Sequence, residues 1–143
     1  YDALDDRTRS EVEALVCLHS QMYSREKVGF DDLTEAERVE LKPVRQRLVR
    51  RHPATGRRSL FLSSHAGLVE GWSVPESRMF LADLIEFATV PEFVYSHSWR
   101  IHDLVIWDNR CTMHRARRFD PESARDVRQT RLAGIEPTIE QLD

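Results

Sequence analysis

The chain has 143 residues, 41% apolar and 31% charged, which suits one folded domain and excludes an intrinsically disordered segment. A formal net charge of −3, with acidic residues spread among the arginines, leaves no electrostatic case for nucleic acid or an anionic membrane. No run approaches the roughly 18 apolar residues of a membrane span. The acidic N-terminus lacks a signal-peptide pattern. Cys17 and Cys111 make neither a disulfide framework nor a CxxC zinc pattern. These features lead to the expectation of a cytoplasmic protein with two reduced thiols.

In chain order, the first predicted element is a helix from about Asp5 to Tyr23, because Val12, Leu15, Val16 and His19 recur at helical spacing. Thr34-x-x-Glu37 has the form of a capping box and opens a short helix to about Leu41, which Pro43 ends. Val44 to Arg51 alternates as a strand does. His52-Pro-Ala-Thr-Gly56 is a turn cluster, and Arg58 to Ser63 returns, so the two strands form a hairpin. Ser73-x-x-Glu76 with Pro75 between starts a second helix that runs to about Ala88. The remainder reads as strands: Glu92 to Trp99, Leu104 to Trp107, Cys111 to His114 and Val127 to Ala133. Two helical regions followed by antiparallel strands make the fold class α+β.

Chemistry concentrates between Asp103 and Arg125. Asp103-Leu-Val-Ile-Trp-Asp-Asn-Arg110 is an apolar stretch ending in a polar turn, and Cys111-Thr-Met-His114 follows. A neutral imidazole such as that of His114 is a good ligand for a divalent transition metal. Arg125, eleven residues on, offers a planar fork suited to a carboxylate. A non-haem iron(II) centre with a dicarboxylic keto acid as co-substrate needs both. The metal takes two histidines and one carboxylate, and a cation holds the far end of the keto acid.

The motif Trp107-Asp-Asn-Arg110 with His114 and Arg125 resembles the distal half of the iron(II)/2-oxoglutarate dioxygenases of the TauD/TfdA family. Likeness to the 2,4-dichlorophenoxyacetate branch extends over nearly the whole chain. It includes Met22-Tyr-Ser-Arg-Glu-Lys27, Lys42-Pro-Val-Arg-Gln-Arg-Leu48, Leu62-Ser-Ser-His-Ala-Gly67 and Met113-His-Arg-Ala-Arg-Arg-Phe119. The resemblance implies that His114 is the distal iron ligand and that Arg125 binds the far carboxylate of 2-oxoglutarate. It also implies the C-terminal half of a double-stranded β-helix, a jelly roll with helical insertions. The chain then divides, within one partial domain over 1–143, into a helical insert (about 1–42), a hairpin (about 43–64), a helix (about 74–88) and distal jelly-roll strands (about 92–134).

The family's proximal His-x-Asp or His-x-Glu is absent. The residues two after His19, His52, His65, His97, His102 and His114 are Gln21, Ala54, Gly67, Trp99, Leu104 and Ala116. The expectation is therefore a chain that holds one of three iron ligands and pairs with a missing N-terminal half, or with a second copy of itself. The family reading makes Asp108, Asn109 and Arg110 an organiser of the iron-bearing strand. His52 and His65 flank the hairpin that lies near the substrate pocket in the resembled family. Gln129 stands where many members carry a second, substrate-gripping arginine, and Arg131 shares its face by strand alternation. His102 replaces the relatives' usual glycine in a Gly-Asp-Leu turn.

The implied function is an oxygenase. With Fe(II), 2-oxoglutarate and O2, the intact protein hydroxylates a small, anionic, aryloxyalkanoate-like substrate and so cleaves its ether. Residues 1–143 alone are expected to be inactive. The alternative is a non-catalytic truncated remnant that acts as a half-barrel or interaction module.

Overall fold

The computed structural model describes residues 1–30 and 32–134. The predicted helix over residues 5–23 is in fact three elements. Asp5 caps α1 (Asp6–Glu13) by accepting from the backbone N–H groups of Arg7 and Thr8. The chain then straightens into β1 (Val16–His19), and Ser20 caps α2 (Gln21–Glu26) through the N–H of Met22. Cys17 and His19 alternate with Val16 and Leu18, so period two wins over the helical spacing. The reason is tertiary. β1 is the middle strand of a three-stranded antiparallel sheet, between β2 (Val44–Arg47) and β5 (Ala66–Val69). Ladder pairing on both edges overrides local propensity.

The predicted strand over residues 44–51 also divides. β2 pairs with β1, whereas β3 (Val49–Arg51) pairs with β4 (Arg58–Leu60) in a separate hairpin. Leu48 is the joint. It is fully buried, its N–H donates to the Leu15 carbonyl at 3.0 Å, and its own carbonyl accepts from Phe61 N–H at 2.7 Å. One apolar side chain in the core thus fixes where the chain passes from one sheet to the other.

Both capping boxes form as the sequence predicts. Thr34 and Glu37 open α3 (Glu35–Glu40), and Ser73 and Glu76 open α4 (Val74–Ala88). α4 lies against β5, where the buried Ser77 hydroxyl accepts from Val69 N–H at 3.0 Å. The core gathers Val12 of α1, Cys17 of β1, Ala66 and Val69 of β5, and Leu81 and Leu84 of α4, with Leu4, Leu48 and Leu62 from the connections. Gly67 on β5 lets the Tyr23 ring of α2 close onto the sheet: a Cβ there would stand 2.3 Å from ring carbons.

Beyond α4 comes one 3-10 turn at Pro91–Phe93, and then no strand pairing among the described residues. The strands expected in 92–134 are therefore not present as ladders. A strand is held by hydrogen bonds to a neighbour, and no described segment offers these residues one. Their apolar side chains stay in solvent, with Tyr95, Ile101, Leu104, Ile106 and Leu132 each more than four-fifths exposed.

Candidate functional site

Alternation along the β3–β4 hairpin puts Arg50 and His52 on one face, with Ser59 opposite Arg50 and Phe61 two residues further along the same face. Arg50 lies over the Phe61 ring, 3.9 Å from its centroid, and the buried imidazole of His19 stacks on the same ring at 5.0 Å. The turn at residues 108–112 comes down on this face. His52 Nε2 meets Asp108 Oδ2 at 3.0 Å, and Ser59 Oγ donates to the Arg110 carbonyl at 3.5 Å.

Asp108 is the hub of the turn. Its carboxylate accepts from Arg110 N–H at 2.8 Å, from Arg110 Nε at 2.9 Å and from Arg110 Nη2 at 2.6 Å. Its backbone carbonyl accepts from Thr112 N–H and Oγ1 at 3.1 and 2.7 Å. The Arg110 guanidinium, then His52, hold the Asp108 carboxyl well below the usual carboxylate range. Next to it, Trp107 Nε1 donates to Asn109 Oδ1 at 2.9 Å, and the Trp107 ring lies 4.8 Å from the His114 ring, tilted by 51°.

The sequence candidates occupy different surroundings. His52 joins the Asp108 turn and is nearly enclosed, with Nδ1 buried and unpartnered among the described residues. His65 is exposed in the loop before β5, with Nδ1 2.9 Å from Ser24 Oγ. His114 is exposed, and neither ring nitrogen makes a hydrogen bond among the described residues. Arg125 stands over Phe119, 4.7 Å from its centroid, and no ion pair or hydrogen bond joins it to His114. Gln129 and Arg131 are exposed and belong to no helix or strand. His102 sits at the third position of a turn closed by Asp103 N–H to the Arg100 carbonyl at 3.1 Å. Its φ is +75°, the conformation that favours glycine there.

Two features escape sequence reasoning. His19 has no motif around it, and only the fold brings it under Phe61. Cys111 lies close enough to His52 and Asp108 for one ligand atom from each to fall within 4.8 Å of the others. Arg110 and His52 already engage that Asp108 carboxylate, so this group is an ion-pair latch rather than an open donor set.

A family model described as taurine catabolism dioxygenase TauD, TfdA family, matches residues 1–131. The chain belongs to the TauD/TfdA family. Among its relatives, an alpha-ketoglutarate-dependent 2,4-dichlorophenoxyacetate dioxygenase from Cupriavidus pinatubonensis is 48% identical over 129 residues, covering 90% of this chain and 45% of that protein. An (S)-phenoxypropionate/alpha-ketoglutarate-dioxygenase from Sphingobium herbicidovorans is 40% identical over 142 residues, covering 94% and 49%. A crystal structure of AAD-2 in complex with Mn(II) and N-oxalylglycine superposes with a TM-score of 0.94 at 58% identity, covering 98% of this chain and 56% of that one. A taurine dioxygenase from Burkholderia xenovorans gives a TM-score of 0.61 at 29% identity, covering 78% and 34%. The chain thus spans about half the length of the TauD/TfdA relatives it matches.

As a donor for a TauD/TfdA metal, His114 fits in chemistry, because neither ring nitrogen makes a hydrogen bond among the described residues. A facial set of two histidines and one carboxylate does not assemble around it among the described residues. Among the described residues no helix is long and apolar enough to cross a membrane.

Proposed function

We propose that this chain is the C-terminal half of a double-stranded β-helix in a 2-oxoglutarate-dependent dioxygenase that acts on aryloxyalkanoates. One observation carries the reading: 98% of the chain superposes on AAD-2, with Mn(II) and N-oxalylglycine bound, at a TM-score of 0.94. The names of the Cupriavidus and Sphingobium relatives point to phenoxy acids as the substrate class. The exposed apolar side chains between Tyr95 and Leu132 suit strands whose partners lie in the rest of a barrel.

In this reading the division of labour follows the chain. His114 supplies one ligand to iron(II), and the other two come from outside this chain. Arg125 holds the far carboxylate of 2-oxoglutarate with its guanidinium fork. His52 lines the substrate pocket and offers Nδ1, buried and without a partner among the described residues, to a polar group of the substrate. His65 lies at the pocket rim. Gln129 contributes a neutral amide where many relatives use a guanidinium, and Arg131 stands beside it as a second cation. Iron(II) with 2-oxoglutarate and O2 supplies the oxidation, and the protein binds, orients and keeps out water. One oxygen atom goes to succinate as carbon dioxide leaves, and the other becomes a hydroxyl on the carbon next to the ether oxygen. The resulting hemiacetal collapses to a phenol and an oxo acid.

The test is aerobic incubation of the full-length protein with Fe(II), 2-oxoglutarate and phenoxyacetate. Equal amounts of succinate and phenol support the reading. Succinate without phenol, across a series of phenoxy acids, removes the substrate class. No succinate at all removes the activity.

A further inference from the structure

The four residues Trp107, Asp108, Asn109 and Arg110 each have a distinct contact, and together they end on His114. Asp108 and Arg110 close on each other and tie the turn to the hairpin through His52 and Ser59. That fixes the backbone from which Trp107 projects. The indole is then fixed in turn by one hydrogen bond, Nε1 to Asn109 Oδ1 at 2.9 Å. The face so held lies 4.8 Å from the His114 ring. Among the described residues His114 has no hydrogen bond of its own to set its ring. An imidazole ligand ordinarily gets its orientation from a partner on its other nitrogen. Here the indole is the group in contact with it.

We propose that Asn109 and Trp107 are positioning residues: Asn109 fixes the indole, and the indole fixes the angle at which His114 meets a divalent metal. The proposal rests on His114 being a metal ligand. Its energetic basis is entropy. A free imidazole explores several rotamers, and metal binding selects one. A neighbour that already excludes the others reduces that loss.

The test is anaerobic titration of the full-length protein with Co(II), read by its visible spectrum. Asn109→Ala should weaken affinity about tenfold and shift the spectrum, the scale seen when support around a metal ligand is lost. Asn109→Asp keeps an acceptor at the same place and should restore most of the affinity, which loss of fold would not allow. Trp107→Phe keeps a ring but removes the donor. It should match Asn109→Ala, and the double variant should lose no more than either alone. Wild-type affinity and spectrum in Asn109→Ala, or additive losses in the double variant, overturn the proposal. If His114→Ala leaves Co(II) binding intact, the reading of His114 as a ligand fails instead, and the two failures are thereby distinct.

Discussion

His19 should make the protein acid-sensitive by an amount that follows from its burial. Its ring is buried against Phe61, with Nε2 unpartnered among the described residues. Burial, with smaller contributions from the charges of His65 and Arg50, pushes its pKa down to about 4. In the unfolded chain a histidine titrates near 6.5. The unfolded state therefore takes up a proton first as pH falls. The stability that the neutral ring contributes is intact above about pH 6.5 and drains away as pH drops toward about 4. The loss relative to neutral pH is about 2 kcal/mol at pH 5 and about 3 kcal/mol at pH 4. Urea unfolding at pH 7, 6, 5 and 4.5, for wild type and His19→Phe, measures it. The phenylalanine keeps a ring against Phe61 and cannot titrate. The difference in unfolding free energy between the two proteins should shift by about 2 kcal/mol in favour of the variant from pH 7 to pH 5. A difference that stays constant with pH would falsify the argument, because carboxylates common to both proteins cancel.

Three further outcomes are expected. Gly67→Ala should destabilise by about 1–3 kcal/mol, because the new methyl meets the Tyr23 ring, and Tyr23→Ala in the same chain should relieve most of that cost; additive costs in urea unfolding would argue against the contact. Cys17 is buried, its thiol pushed up to about 12, while Cys111 is exposed, so of these two a thiol reagent should label only Cys111 in the native protein and both after denaturation. If the proposed function holds, Arg125→Ala in the full-length protein should raise the 2-oxoglutarate requirement by roughly 30- to 1000-fold, with Arg125→Lys recovering part of it; an unchanged requirement in the alanine variant would remove Arg125 from the site.

What was legible in the sequence was what is local. Thr34 with Glu37 and Ser73 with Glu76 are capping boxes because the partners sit three residues apart, and no tertiary contact is needed to form them. The hairpin around His52–Gly56 is local in the same sense. β1 and β5 were illegible because each is four residues long and exists through its ladder to distant strands. The division at Leu48 was hidden for the same reason: alternation runs straight through it, and only burial of that side chain marks the change of sheet.

The site divides in the same way. The quoted motifs did name the parts, and the fold explains why two of them occur together. Tyr23 closes on Gly67, Ser24 meets His65, and Lys27 Nζ reaches the Ser64 carbonyl at 3.3 Å, so the stretches 22–27 and 62–67 are the two sides of one contact. His102, which stands where the relatives usually have glycine, takes the positive φ that favours glycine. The pairing of His52 with Asp108 was not, because 56 residues separate them and neither residue type demands the other.

The measurement that bears most directly on the central claim is an anaerobic Co(II) titration of three proteins in parallel: the full-length protein, its His114→Ala variant, and residues 1–143 alone. The account predicts tight one-to-one binding in the first, its loss in the second, and only weak binding in the third, since a facial site needs three ligands. Tight binding by residues 1–143 that His114→Ala abolishes would mean two further ligands lie within this chain. Binding by the full-length protein that His114→Ala does not change would contradict the account outright.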